Sequence, residues 1–192
     1  MNIVLATQNP YKVAEIRAVL PATWKVWLPS DFGLTAELRE DGRTLEANAE
    51  QKARFLWEHT GMPSLADDSG LEVEALAGAP GVDSAHYAGP ERSDSANRSK
   101  LLGALHGVEN RRARFKTVLA WATDDGVALF EGTVEGQLGE CERGTHGFGY
   151  DALFIPLEGD GRSFAEMSAE EKSAISHRSR AVAAWRARLE KS

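Results

Sequence analysis

The chain of 192 residues holds one cysteine, Cys141, which excludes an internal disulfide framework and a cysteine-based zinc site. No apolar run approaches the ~20 residues that a membrane helix needs. Met1–Thr7 is a short apolar run without a basic flank, unlike a signal peptide. Positive charge is in deficit: 22 Lys and Arg stand against 29 Asp and Glu, for a net charge of −7. Affinity for nucleic acid comes from neutralising phosphates, so a nucleic-acid-binding module is disfavoured. No Ser-His-Asp or Cys-His arrangement is apparent, which disfavours covalent acyl transfer. Cys141 sits between Glu140 and Glu142, the opposite of an activating surrounding for a thiol. What remains is a cytoplasmic enzyme or binding protein. Its 42% hydrophobic and 27% charged residues are ordinary for a folded chain. At this length one domain buries roughly 70% of its unfolded surface.

The charge is unevenly placed. Residues 1–96 carry 8 basic against 15 acidic residues, and residues 97–192 carry 14 against 14, so the whole net charge lies in the first half. Acidic clusters in one half and selected basic residues in the other suit a metal-plus-phosphate site, although acidic surfaces are often only solvated faces.

Asn2–Ala6 reads as a buried strand, and Pro10 opens a helix carrying Val13, Ile16, Val19 and Leu20 on one face. Lys25–Leu28 reads as a second strand and Asp31–Arg43 as loop. A helix over Leu45–Trp57 starts near Thr44, with Leu45, Ala49, Ala53 and Leu56 or Trp57 along one side. Ser64–Ala66 reads as a short strand running into Asp67-Asp68-Ser69-Gly70, followed by a loop over Gly78–Pro90 and a helix over Ser95–Leu105. Ala113–Thr123 and Val127–Val134 form a hairpin about Asp124-Asp125-Gly126. Gly144–Tyr150 is a glycine-rich loop. Ser168-Ala-Glu-Glu171 is a capping box, and Ser176 caps a final helix. This mixture is α/β or α+β around one extended sheet.

Five polar clusters carry the chemistry. Thr7-Gln8-Asn9-Pro10-Tyr11-Lys12, at a strand-to-helix junction, makes either a phosphate cradle or a plain helix cap with Lys12 in solvent. Glu40 with Asp41 either binds a hard cation or favours the helix N-terminus that follows. Asp67 and Asp68, adjacent at a strand end, repel each other, and a cation is the usual compensation; an exposed turn is the alternative. Within Gly144–Asp151, Phe148 stacks on a flat ring while neighbouring backbone and Asp151 read its edge, or else Phe148 belongs to the core. Lys172, His177 and Arg178 gather three cationic groups around a helix start, where bare dipole logic does not place them; either an anion or a base edge accounts for them, or they form a plain solvated face.

The segments Thr7-Gln8-Asn9-Pro10-Tyr11-Lys12, Ala66-Asp67-Asp68-Ser69-Gly70-Leu71 with Gly78-Ala79-Pro80-Gly81-Val82, Gly147-Phe148-Gly149-Tyr150-Asp151, and Glu171-Lys172 to Ser176-His177-Arg178 occur in the order of a known family. The chain resembles, over nearly its whole length, the inosine/xanthosine triphosphate pyrophosphatases, which clear deaminated purines from the nucleotide pool. The resemblance implies an elongated α/β fold with a mixed central sheet flanked by helices, two lobes with the active-site cleft between them, and a homodimer. It implies a purine nucleoside triphosphate substrate and Mg²⁺. Thr7, Asn9 and Lys12, with Gln8, hold the triphosphate. Glu40 and Asp68 serve the metal, and Asp68 is the catalytic acid/base. Ser69 touches substrate. Phe148, Gly149, Tyr150 and Asp151 form the base pocket, and Lys172, His177 and Arg178 complete recognition. Glu37 or Asp41 stands near enough to take the place of Glu40. Ala152 departs from the family's usual proline. A catalytically silent nucleotide sensor is the rival reading, disfavoured because a sensor need not keep Asp68, Lys12 and a second carboxylate.

Overall fold

The computed structural model describes residues 1–7, 9–36 and 38–190. The first strand, β1 (Asn2–Leu5), is fully buried from Ile3 onward, as a strand covered on both faces must be. Helix α1 (Pro10–Val19) starts where Pro10 predicts. Asn9 caps it, its side-chain oxygen accepting from the Tyr11 N–H at 2.9 Å and the Lys12 N–H at 3.4 Å. After β2 (Lys25–Trp27), helix α2 (Leu45–Thr60) is capped by Thr44 and ended by Gly61 in the left-handed region. Then follow β3 (Ser64–Val73), α3 (Asp94–Ala104), β4 (Arg112–Thr123), β5 (Gly126–Leu138), β6 (Phe154–Pro156), α4 (Ala169–Ile175) and α5 (His177–Leu189).

The six strands form one sheet in the order β2-β1-β3-β4-β5-β6. β1 runs parallel to β2, with Ile3 opposite Val26, and parallel to β3, with Leu5 opposite Leu65. β5 and β6 are antiparallel, with Gln137 opposite Ile155. The fold is therefore α/β with a mixed sheet, as expected.

Two details differ from expectation. The strand that begins at Ser64 does not stop at Ala66; it continues through Asp67, Asp68, Ser69 and Gly70. Charged residues stay in this strand because cations and amides meet them there, as described below. Gly70 is required at its place, since a Cβ would lie 2.3 Å from the Gly81 carbonyl oxygen. The three-residue β6 has no local signal; its pairing with β5, in which Gln137 meets Ile155, creates it.

Contacts divide the chain into two compact units, Met1–Asp68 with Thr117–Gly132 and Arg178–Ser192, and Ser69–Lys116 with Thr133–His177. Each has its own core. In the first, Ile3, Leu5, Ile16, Leu65 and Leu119 surround Trp185, whose ring meets Trp24 edge-on at 5.4 Å and Trp121 at 5.0 Å. In the second, Phe115, Phe154 and Phe164 interlock with centroids 4.7 to 6.1 Å apart, among Leu71, Leu101 and Leu138. Among the described residues, no helix is long and apolar enough to cross a membrane.

The capping box on α4 forms as expected. The Ser168 hydroxyl accepts from the Glu171 N–H at 3.2 Å, and the Glu171 carboxylate accepts from the Ser168 N–H at 2.7 Å. The Arg162 guanidinium also donates to both Glu171 oxygens, and with the Ser168 bond it holds the carboxyl down at about 2. The unfolded chain, with an ordinary value near 4.5, therefore takes up this proton first. The Glu171 contribution to stability is complete above that value and is lost as pH falls toward 2. In urea melts at stepped pH, the stability gap between the native chain and Glu171→Gln is expected to close over that window. A gap independent of pH would refute the assignment.

Candidate active site

Adjacent residues on a strand face opposite ways, and Asp67 and Asp68 use this to reach different partners. Asp67, fully buried, receives Lys12 from α1 at 3.0 Å. It also receives the Arg178 guanidinium from the first turn of α5, Nη2 at 3.2 Å and Nε at 3.3 Å. Arg178 is 1% exposed and donates as well to Glu15 of α1. Burial would raise the Asp67 carboxyl, but Lys12, Arg178 and Lys52 outweigh it and hold the group well below the usual carboxylate range.

Asp68 meets α2. Asn48 donates to its Oδ2 at 3.1 Å, and the Lys52 ammonium stands 3.6 Å from its Oδ1. Burial pushes the Asp68 carboxyl up, and Glu40 adds to this; Lys52, Lys12 and Asn48 pull downward without cancelling it. Lys52 is itself buried, which disfavours its charge, yet Asp68, Glu40 and Asp67 hold its proton on. It donates to Glu40 Oε1 at 2.5 Å and to the Asp67 carbonyl at 2.7 Å. Two neighbouring carboxyls are thus driven in opposite directions, Asp67 below the usual carboxylate range and Asp68 upward from its ordinary value. Environment separates acid from base roles in this way.

The poorly patterned segment before α2 finds its place through α2 side chains. Asn48 accepts from the Gly42 N–H at 2.8 Å, Gln51 donates to Asp41 at 2.8 Å, and Lys52 holds Glu40. Glu40, and not Asp41, is therefore the carboxylate brought to the ammonium beside Asp68; Asp41 pairs with Gln51 and Arg39. Gln8 and Glu37 lie outside the described residues. Thr7 is buried beside the α1 cap, its hydroxyl accepting from the Asn9 N–H at 3.1 Å. Ser69 follows Asp68 on β3, half-buried.

In the second unit the loop over residues 144–151 turns on Gly147, whose φ is +74° and whose Cβ would lie 2.1 Å from the Asp151 carboxylate. That carboxylate accepts from the Phe148 N–H at 2.9 Å and from Lys172 of α4 at 2.7 Å. Lys172 lies 5.0 Å from the Phe148 ring centroid and 5.6 Å from that of Phe164. The Phe148 side of the loop borders a cavity of about 540 Å³ that Asp94, Arg98, Glu142, His146 and Asp151 also line. Gly149 bonds to α3. Tyr150 is buried, donates from its hydroxyl to the Ser84 carbonyl at 2.9 Å, and has its ionisation suppressed by burial. His177 is buried with its ring stacked on Phe115 at 4.7 Å.

The structure thus gathers Lys12, Glu40, Asp68 and Arg178 within one unit, and Phe148, Asp151 and Lys172 within the other. It adds Glu15, Asn48 and Lys52, which the sequence reading passed over. The last two had a signal: both occur among the buried residues of α2, where Leu45, Ala49, Ala53 and Leu56 set an apolar pattern. Polar groups are not placed there without partners.

Residues 3–188 match the model of the Ham1 family. A relative from Syntrophobacter fumaroxidans, a dITP/XTP pyrophosphatase, is 50% identical over 182 residues, which cover 94% of this chain and 78% of the relative. The dITP/XTP pyrophosphatase of Christiangramia forsetii is 47% identical over 178 residues, 93% of each chain. The structure of the Staphylococcus aureus Ham1 protein, 37% identical, superposes with a TM-score of 0.90 over 100% of this chain and 99% of its own. With one family model spanning nearly all of the described sequence and relatives at this identity over most of their length, the chain belongs to the Ham1 family.

Proposed function

We propose that this chain hydrolyses ITP, dITP and XTP to the nucleoside monophosphate and pyrophosphate, keeping deaminated purines out of DNA and RNA. The observation that carries the reading is the Asp67–Asp68 pair, set among Lys12, Lys52 and Arg178; the relatives' shared name supplies the substrate class. Asp68 takes a proton from the water that attacks the α-phosphorus. Lys12, anchored on Asp67, faces the charge of the triphosphate, and Thr7 and Asn9 shape the α1 N-terminus beside it. Phosphoryl transfer asks chiefly for positioning and charge neutralisation, which such a set can meet. Phe148 stacks on the purine while Asp151 and Lys172 hold its loop and read the ring edge, with Ser69, Gly149, Tyr150 and His177 completing the pocket.

Glu40 and Asp68 both reach the Lys52 ammonium, at 2.5 and 3.6 Å. Their carboxylates are hard-oxygen donors of the kind Mg²⁺ takes, with phosphate oxygens and water making up the rest. Bound there, the ion would neutralise developing phosphoryl charge. The same reading, through the family resemblance, has the enzyme act as a cytoplasmic homodimer.

Selectivity falls on the purine 6-position. Donors aimed at a 6-oxygen face other donors when adenine enters, and an unpaired buried polar group costs about 1–3 kcal/mol. Guanine shares the oxygen and is turned away through its 2-amino group. The test is product analysis with ITP and XTP in the presence of Mg²⁺. Monophosphate and pyrophosphate in equal amounts are expected; a diphosphate with orthophosphate as the main products would overturn the proposal.

A further inference from the structure

The loop that presents Phe148 has two anchors, and only one of them lies in the motifs already described. The first is Asp151, which accepts the Phe148 N–H. The second holds the next peptide from both ends. The Gly149 N–H donates to Asp94 at 2.7 Å, and the Gly149 carbonyl accepts from Arg98 Nη1 at 2.8 Å. Asp94 and Arg98 are four residues apart on α3, hence on one face of the helix. Arg98 is steadied in turn by Glu142, 3.0 Å from its Nε.

These side chains are not needed to build α3. Ser93 already caps it, accepting from the Ala96 N–H. Leu101 and Asn97 are its buried residues, and Asn97 ties it down by donating to the Ser84 and Ala85 carbonyls and accepting from the Ala88 N–H. Asp94 is exposed, yet its carboxylate reaches a backbone N–H 55 residues away. Hydrogen bonds with an ionised partner are about twice as strong as neutral ones, and here they fall on a glycine, the residue with most freedom to move. Asp94, Arg98 and Phe148 line the same cavity.

We infer that Asp94 and Arg98 are positioning residues that hold the Gly149 peptide so that the Phe148 ring stands ready to stack on the purine. Their contribution is to substrate affinity, not to the hydrolytic step, because neither touches the group that activates water. The inference rests on the proposed function and adds residues to it.

A double-mutant cycle on ITP hydrolysis tests it. Arg98→Leu is expected to raise KM for ITP about 10-fold, the scale of a lost base–aromatic stack, with kcat changed less than about twofold. In a Phe148→Ala background the same substitution should move KM less than about twofold. Asp94→Ala should behave like Arg98→Leu. Asp94→Asn, which keeps an acceptor for the Gly149 N–H, should stay near the native value. An equal KM effect in both backgrounds, a loss confined to kcat, or an unmoved KM would overturn the inference while native activity stands. A native chain that releases no pyrophosphate from ITP would instead overturn the proposed function, and this role with it.

Discussion

Asp68→Asn is expected to lower turnover on ITP by roughly 10²-fold or more, the scale of a lost general base, while the chain remains folded. The amide keeps the size of the carboxyl and can still accept from Asn48. What it loses is the basicity that burial and Glu40 confer. Lys52 keeps Glu40 and the Asp67 carbonyl as partners, so the neutral replacement leaves no buried cation unpaired. Turnover from pyrophosphate release, read beside a thermal melt of the same sample, checks both halves. Near-native turnover would move the catalytic role away from Asp68.

The neighbouring substitution is expected to have the reverse character. Asp67→Asn removes the charge on which Lys12 and Arg178 converge. Lys12, 18% exposed along its side chain, can turn to solvent, and Arg178 retains Glu15, but the guanidinium itself has no route to water. Breaking a buried ion pair from one side costs about 3–5 kcal/mol, and these partial remedies place the loss near 3 kcal/mol. For a chain of this size that is a fall in melting temperature of about 6–12 °C. A melting point within a degree of the native one would show that Asp67 does not anchor the two cations. The pair of variants separates the two carboxylates: one loses chemistry at constant stability, the other loses stability.

Local chemistry explains which parts of this molecule were legible beforehand. Pro10 after an Asn cap, Thr44 ahead of α2, Asp124-Asp125-Gly126 at the hairpin and the Ser168–Glu171 box each decide a boundary with residues a few positions apart. All of these appear in the structure. The motifs carrying Lys12, Asp68, Asp151 and Lys172 were visible for the same reason. What stayed hidden depends on residues far apart in the chain. β3 continues through two aspartates because Arg178, 111 residues away, comes to Asp67. Lys52 meets Glu40, twelve residues before it, and Asp68, sixteen after it, and local sequence does not announce either contact. The sequence offers the Arg178 fork to an anion or a base edge; in the fold it is engaged by Asp67 and Glu15.

The tryptophan cluster around Trp185 has a spectroscopic consequence. All five tryptophans, Trp24, Trp27, Trp57, Trp121 and Trp185, fall in the first unit, and the second has none. Intrinsic emission excited at the red edge therefore watches only the half that carries Lys12, Asp67 and Asp68. Far-ultraviolet ellipticity watches the backbone of both. Overlay of the two signals in one denaturation experiment reports whether the units unfold together. It does so with no label added, because the chain has placed its fluorophores on one side of the boundary that β3 crosses between Asp68 and Ser69.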